Sequence, residues 1–151
     1  MIATTSNEKK AARLLELGAS NVINYVSTPD WGNEVRKLTA GQGTDVIVEV
    51  GGAGTRAQSI AAIAYAGVIS LVGHLAHDTT GMNLLDFTYS GATLRAIGGG
   101  SRSDLEDMIR VIAAYKLRPV IDRVFPFEEA PVAASSMERG GRFGKVVIQH
   151  H

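Results

Sequence analysis

The sequence predicts an α/β fold in which helices cover both faces of a doubly wound parallel sheet. Short apolar runs alternate with amphipathic stretches from one end of the chain to the other. The amphipathic stretches reach about ten residues or more, which is the spacing typical of βαβ units and hence of a parallel sheet. The right-handed crossovers of βαβ units favour the doubly wound arrangement. A closed barrel is less favoured, because it requires eight such units.

The composition excludes several classes of protein. The chain has 151 residues, with 15 Lys and Arg, 15 Asp and Glu, and no Cys. Zero net charge argues against a nucleic-acid partner, because phosphate contacts need a surplus of cations. The lack of Cys excludes a disulfide scaffold, a thiolate nucleophile and a thiolate-bound zinc ion. No apolar run approaches the ~20 residues of a membrane helix, so we expect a cytoplasmic protein without a membrane partner.

Seven apolar runs are predicted to be strands. The third of them is apolar apart from Glu49, which is typical of a parallel strand covered on both faces. The predicted strands are residues 1–5, 22–25, 46–50, 68–72, 93–97, 120–124 and 145–149.

The segments between these strands carry helical periodicity or helix-start signals. We expect Pro29 in the first turn of the second helix, a capping box of Ser103 and Glu106 at the start of the fifth, and Pro119 as the stop of the fifth. The apolar residues predicted to face inward from the fifth helix are Leu105, Met108, Ile109, Ile112 and Leu117. The predicted helices are residues 7–17, a segment opened by residues 28–30, residues 55–64, residues 83–89, a long helix from Ser103, and a segment near 128–138.

Ligands bind beyond the carboxyl ends of the strands in a doubly wound sheet. The first strand ends in Thr4, Thr5 and Ser6, where a dinucleotide site that prefers NAD places an acidic residue. Small hydroxyl residues, with Lys9 and Lys10 in the next helical turn, favour the 2′-phosphate of NADP instead. Tyr25 ends the neighbouring strand and is placed to stack on adenine or to donate to that phosphate. The alternative is that Ser6 caps the helix and that Lys9 and Lys10 are solvated surface residues.

Glycines follow the third and fourth strands. Three glycines within the segment 51–54 let a backbone approach a ligand closely, and the next helix offers its N-terminal amides to an anion. The alternative is a tight turn without a ligand. Gly73 and His74 close the fourth strand, where His74 is either an acid or base at the ligand edge or a surface residue. Lys145 stands beside a glycine turn before the last strand and either contacts a phosphate or is solvated.

These residues resemble the C-terminal, cofactor-binding part of the medium-chain dehydrogenase/reductase superfamily, in its zinc-type alcohol dehydrogenase and quinone oxidoreductase branch. The order and spacing of the matching motifs cover nearly the whole chain. The motifs lie at residues 2–6, 17–19, 22–25, 43–52, 67–73, 118–122 and 144–148.

The resemblance implies hydride transfer between NADP or NAD and a small-molecule substrate such as an alcohol, aldehyde, ketone or quinone. It implies a Rossmann-like fold and assigns cofactor contacts to several residues. By this resemblance, Ser6, Lys10 and Tyr25 contact the 2′-phosphate, with Thr4 beside them. Val50, Gly51 and Gly52 lie under the nicotinamide-side ribose. The main chains of Gly73 and His74 contact the carboxamide, and Lys145 lies near the cofactor. The resemblance identifies no catalytic residue and no metal ligand in this chain.

The same resemblance predicts that the fold is incomplete at its N-terminus. The first strand of such a domain and its glycine-rich phosphate loop have no counterpart here, and neither has the catalytic domain, to which any zinc would belong. Residues 1–117 are then a partial dinucleotide-binding domain, and residues 118–151 a tail that packs on the missing catalytic domain. The missing strand would lie between strands 1–5 and 46–50, so we expect this chain to be inactive alone.

Two other functions remain open. The chain is alternatively a non-catalytic module that binds a nucleotide or only self-associates. Because Gly51-Gly52-Ala53-Gly54 follows a strand, an adenosylmethionine-dependent methyltransferase is also considered, although that turn normally follows the first strand of its domain. We further expect a homodimer through the strand that runs from Thr93 to Ile97, since this family commonly pairs that strand across a two-fold axis.

Overall fold

The computed structural model describes residues 1–73 and 82–150 and divides the chain into two compact units, Met1–Gly99 and Gly100–His151. The first unit alternates strands and helices throughout. Its elements are β1 (Ile2–Thr5), α1 (Glu8–Glu16), β2 (Asn21–Asn24), α2 (Trp31–Leu38), β3 (Thr44–Glu49), α3 (Ala53–Ala62), β4 (Ile63–Leu71), α4 (Leu84–Ser90) and β5 (Thr93–Ala96). The functional boundary expected after residue 117 stays a prediction.

Every strand pair among the described residues is parallel, which confirms the predicted α/β class. β1 pairs with β2, and β3, β4 and β5 form a separate sheet in that order. Ile47 of β3 lies opposite Ile69 of β4, which lies opposite Leu94 of β5. Within the described ranges, β1 and β3 therefore each have one edge without a strand partner. These are the two strands between which the family resemblance predicts a further strand.

A shared helical layer covers one face of both sheets. One apolar cluster joins Ile23 of β2, Val35 of α2 and Ala62 of α3. A second joins residues of α3 and β4, namely Ile60, Ile63 and Ile69. Ile47 packs against both clusters, so the two sheets are held together through side chains rather than through a common hydrogen-bond ladder.

α2 and α3 meet at a close crossing that requires a glycine. A Cβ on Gly32 would lie 2.6 Å from the Gln58 carbonyl oxygen, and the Gly32 amide donates to Gln58 Oε1 at 2.7 Å. Arg36 of α2 then donates to the carbonyl oxygens of Ala61 and Ile63 at 2.7 and 2.6 Å. The guanidinium thereby satisfies carbonyl groups at the C-terminus of α3, where helix carbonyls lack helical partners.

Two predictions about β3 and β4 are wrong. Val46 and Val48 are 61% and 65% exposed, so β3 is covered on one face only rather than on both. The face that is covered carries Ile47 and Glu49, because side chains alternate along a strand. β4 begins at Ile63, directly after α3, instead of at residue 68, because Ile63 already pairs with Thr44 of β3. Ala66 takes a left-handed φ of 60° within the strand.

The second unit contains α5 (Arg102–Ala114), β6 (Ile121–Pro126), a 3₁₀ turn at Phe127–Glu129, α6 (Ala130–Glu138) and β7 (Lys145–Gln149). β6 and β7 pair in parallel. Phe125 and Ala133 form its buried apolar core. None of the helices in the described ranges is long and apolar enough to cross a membrane.

The predicted start and end of α5 are wrong by a few residues. Ser101, not Ser103, is the N-cap, and its Oγ accepts from the Asp104 amide while Asp104 Oδ2 accepts from the Ser101 amide. Asp104 stands at the position that Glu or Gln takes in the usual capping box. The bond from the Ser101 amide holds the pKa of Asp104 below its ordinary value. The helix ends at Ala114, before Pro119, because Lys116 adopts a left-handed φ of 52°.

The inward face predicted for α5 is also not covered. Leu105, Met108 and Ile109 are each exposed over about half of their surface, and Leu117 lies beyond the end of the helix. α2 differs from its prediction as well, since it begins at Trp31 with Asp30 as N-cap, and Pro29 precedes the first turn.

Candidate functional site

The carboxyl ends of β1 and β2 bring together four predicted cofactor residues, which we call the β1–β2 end: Thr4, Ser6, Lys10 and Tyr25. The two strands are held in register by the Tyr25 amide, which donates to the Thr5 carbonyl oxygen at 2.9 Å. Thr4 and Tyr25 are exposed, while Ser6 and Lys10 are partly buried. Ser6 does not cap α1, because Asn7 is the N-cap and its Oδ1 accepts from the Lys10 amide at 2.9 Å.

A carboxylate at the β1–β2 end was missed by sequence reasoning. Glu8 Oε1 accepts from Asn24 Nδ2 at 2.5 Å. The orientation of the Asn24 amide is fixed, because its Oδ1 accepts from the Val26 amide at 3.1 Å. A negative charge therefore stands in the first turn of α1, beside the position expected for a 2′-phosphate. The sequence analysis considered an acidic residue only at the end of the strand, whereas Glu8 belongs to the first turn of α1.

The ends of β3 and β4 bring together the second group of predicted residues. We call Val50, Gly51 and Gly52 the β3–α3 turn. Gly73, which follows β4, lies so close to this turn that a Cβ on it would be 2.6 Å from the Val50 carbonyl oxygen. Val72 and Gly73 amides both bond to the Glu49 carbonyl oxygen, at 2.8 and 3.3 Å. The four predicted residues therefore form one continuous backbone surface at the carboxyl edge of the sheet.

The β3–α3 turn is built on Glu49, whose side chain is 4% exposed. Glu49 Oε1 accepts from the amides of Gly51 and Gly52 at 2.8 and 3.0 Å and from Thr55 Oγ1 at 2.5 Å. Its Oε2 accepts from Ser59 Oγ. Four donors thus satisfy one buried carboxyl group, which would otherwise be costly to bury.

The Glu49 bonds determine what the amides before α3 can bind. The amides of Gly51 and Gly52 donate to the carboxyl group of the protein itself, so they are not free for a ligand. The sequence held a signal for this arrangement. A single acidic residue ends an apolar strand before two glycines, and Thr55 and Ser59 follow four residues apart, on one face of the helix.

The two remaining predicted residues are Lys145 and His74. Lys145 is the exposed first residue of β7 in the second unit, and its amide donates to the Val120 carbonyl oxygen at 2.9 Å. The preceding Gly144 has a φ of 107° and leaves no room for a Cβ beside that carbonyl group. His74 lies outside the described residues, so its predicted role stays a prediction.

The two groups in the first unit present binding surface rather than paired acids and bases. The β1–β2 end offers hydroxyl groups, a lysine and a tyrosine, and the β3–α3 turn offers close-packed backbone. Among the described residues, no group of three or more His, Asp or Glu side chains is placed to hold a metal ion. The residues that are described therefore do not fit a zinc site.

Comparison with known proteins decides the family. The model of the zinc-binding dehydrogenase family matches residues 1–114 of the sequence. The chain belongs to this family. Its predicted kinship with zinc-type alcohol dehydrogenases and quinone oxidoreductases is thereby confirmed.

Relatives match along almost the whole chain. A zinc-type alcohol dehydrogenase-like protein of Schizosaccharomyces pombe is 37% identical over 150 residues, covering 97% of this chain and 43% of that protein. A 2-haloacrylate reductase of a Burkholderia species is 29% identical, covering 98% of this chain and 47% of that protein. The crystal structure of an NAD-dependent alcohol dehydrogenase superposes with a TM-score of 0.86 at 33% identity, covering 99% of this chain and 43% of the other. The chain therefore spans less than half the length of these oxidoreductases.

Proposed function

We propose that this chain forms the cofactor-binding portion of an NAD(P)-dependent oxidoreductase. The observation that carries the proposal is the continuous backbone surface of Val50, Gly51, Gly52 and Gly73 at the carboxyl edge of β3 and β4, where the glycines let the two strand ends and α3 pack closely together. In doubly wound folds this edge is where ligands bind. A bound nicotinamide would supply the hydride chemistry, and the substrates would be small alcohols, aldehydes, ketones or quinones.

We propose NADP(H) as the preferred cofactor. Lys10 and the Ser6 hydroxyl group at the β1–β2 end suit a phosphate, and Tyr25 is placed beside them. A charge-assisted bond to a phosphate is stronger than a neutral one. Cofactor choice differs among relatives, since one is named for NAD and another for NADP(+). Glu8 opposes a phosphate, so the preference depends on Lys10.

Titration of the 151-residue chain with NADPH, NADH and adenosylmethionine tests the proposal. We expect submillimolar binding of NADPH, weaker binding of NADH and no binding of adenosylmethionine, measured by cofactor fluorescence and calorimetry. Binding of adenosylmethionine alone would favour the methyltransferase alternative. Binding of none of the three would leave the self-associating module as the better account.

Self-association is proposed alongside cofactor binding. β5 pairs with β4 on one side only among the described residues, and exposed glycines follow it. An open strand edge recruits another chain, so we propose a homodimer through the strand from Thr93 to Ile97. Light scattering should report a dimer or larger species, and Ala96→Lys should shift it toward monomer. A monomer at high micromolar concentration would contradict the proposal.

We expect the 151-residue chain to show no turnover of alcohols or quinones with either cofactor. Hydride transfer requires substrate and cofactor held in a near-attack geometry, and the chain spans less than half the length of its relatives. A purified chain with turnover that is abolished by a substitution in its own sequence would contradict this expectation.

A further inference from the structure

Glu49 is a buried acid for which the proposed function gives no role. Packing alone would be served better by an apolar side chain at this position, because a buried carboxyl group must be fully hydrogen-bonded to be tolerated. Three of its four donors converge on Oε1, and two of those are the amides of the β3–α3 turn. The carboxyl group therefore fixes the backbone conformation of that turn.

The backbone of the turn depends on these hydrogen bonds for its conformation. Gly52 has φ 87° and ψ −133°, a conformation that is accessible to glycine and strained for other residues. Gly51 packs against Thr55, whose Cγ2 would lie 2.8 Å from a Cβ on Gly51. Because glycines lose the most conformational freedom on folding, the bonds from Glu49 select one conformation from many.

The same bonds change what the N-terminus of α3 can bind. Helix N-termini usually attract phosphates through free amides and the helix dipole. Here the amides of Gly51 and Gly52 donate to Glu49 instead, so the protein supplies its own anion. A second negative group at this point would face an acidic side chain in a low-dielectric environment. The β3–α3 turn is therefore suited to an uncharged part of a ligand.

We infer that Glu49 is a positioning residue for the cofactor: it holds the β3–α3 turn so that its backbone receives the uncharged, nicotinamide-side ribose and excludes a phosphate. This inference rests on the proposed function. It predicts that Glu49 acts equally on NADPH and NADH, since the two cofactors share that ribose. Lys10, by contrast, acts on NADPH alone.

The test compares three variants of the 151-residue chain. Glu49→Leu removes both acceptor oxygens, and Glu49→Gln returns one oxygen that can face the glycine amides while its NH₂ group faces the Ser59 hydroxyl. Ile69→Val is the matched control, because it truncates a core residue of β4 without touching the turn. The measurements are dissociation constants for NADPH and NADH, the amide proton resonances of Gly51 and Gly52, and the urea midpoint.

We expect Glu49→Leu to weaken both cofactors by the same factor, roughly tenfold or more, which corresponds to about one lost hydrogen bond. Both glycine amide resonances should move upfield. Glu49→Gln should restore most of the affinity, and Ile69→Val should lower the urea midpoint with unchanged affinity. If Glu49→Leu does not fold, Glu49→Asp replaces it, since its shorter side chain cannot reach all four donors.

Three results would overturn the inference. Unchanged affinities in folded Glu49→Leu or Glu49→Asp would show that the turn does not position the cofactor. An effect on NADPH alone would place the 2′-phosphate, which NADH lacks, at the turn. A wild-type chain that binds neither cofactor would refute the proposed function itself, and the role of Glu49 toward the cofactor would be refuted with it.

Discussion

At the β1–β2 end, polar side chains lie at or near the surface, whereas at the β3–α3 turn one buried carboxyl group collects four donors. Glu8 and Asn24 share one hydrogen bond that water can replace, while Glu49 and its donors are largely shielded from solvent. Removing a buried partner leaves other buried groups unsatisfied, but removing an exposed partner does not. From this difference in burial we expect substitutions at the turn to change stability, and substitutions at the β1–β2 end to change cofactor preference.

The largest expected effect is that of Gly73→Ala, which adds a methyl group where the β3–α3 turn packs against the end of β4. The new Cβ would lie 2.6 Å from the Val50 carbonyl oxygen, so two strand ends must move apart. We expect a loss of about 3 kcal/mol in the free energy of unfolding, measured in urea. Gly98→Ala is the control, because its Cβ would meet no atom within 4 Å. Equal stability of the two variants would contradict the expectation that close packing at Gly73 stabilises the protein.

Lys10→Ala should act on affinity and not on stability. A charge-assisted contact with the 2′-phosphate contributes about 2 kcal/mol, so NADPH binding should weaken about thirtyfold while NADH binding stays the same. Lys9→Ala is the matched control, since Lys9 is the exposed neighbour on the same helical turn. Equal losses in the two variants would mean that only the general positive charge matters.

Asn7→Ala should lower stability by removing the N-cap of α1. The Asn7 side chain caps α1 by accepting from the Lys10 amide, and loss of an N-cap usually costs about 1 kcal/mol of stability. The urea midpoint should fall accordingly, and Lys9→Ala, an exposed position inside α1, should leave it unchanged or higher. An undiminished midpoint in Asn7→Ala would show that α1 does not depend on this cap.

Glu8→Gln should have the smallest effect and the opposite sign. Removal of the carboxylate beside the expected 2′-phosphate should raise NADPH affinity by about threefold at low salt, the scale of an exposed charge interaction. The gain should shrink as salt is added, because exposed charges are screened. Glu16→Gln serves as control, since that carboxylate pairs with Arg13 near the other end of α1. A loss of NADPH affinity in Glu8→Gln would reverse the role assigned to Glu8.

The sequence alone determined the class of the fold and the order of its elements. Short apolar runs located the strands, and helical periodicity located most helices within a few residues, because side-chain burial follows the geometry of each element. It also placed Gly51, Gly52 and Gly73 at strand ends. The family was identified from short motifs whose order and spacing are specific only in combination.

How these residues are used depends on the tertiary structure. The glycines after Glu49 and the spacing of Thr55 and Ser59 are compatible with a contact, but only the folded chain brings donors from a turn and from two levels of a helix to the two oxygens of Glu49. The exposure of Val46 and Val48 likewise depends on which elements cover β3, and so does that of the apolar side chains of α5. Local pattern sets the secondary structure, whereas burial and hydrogen-bond partners depend on residues that are distant along the chain.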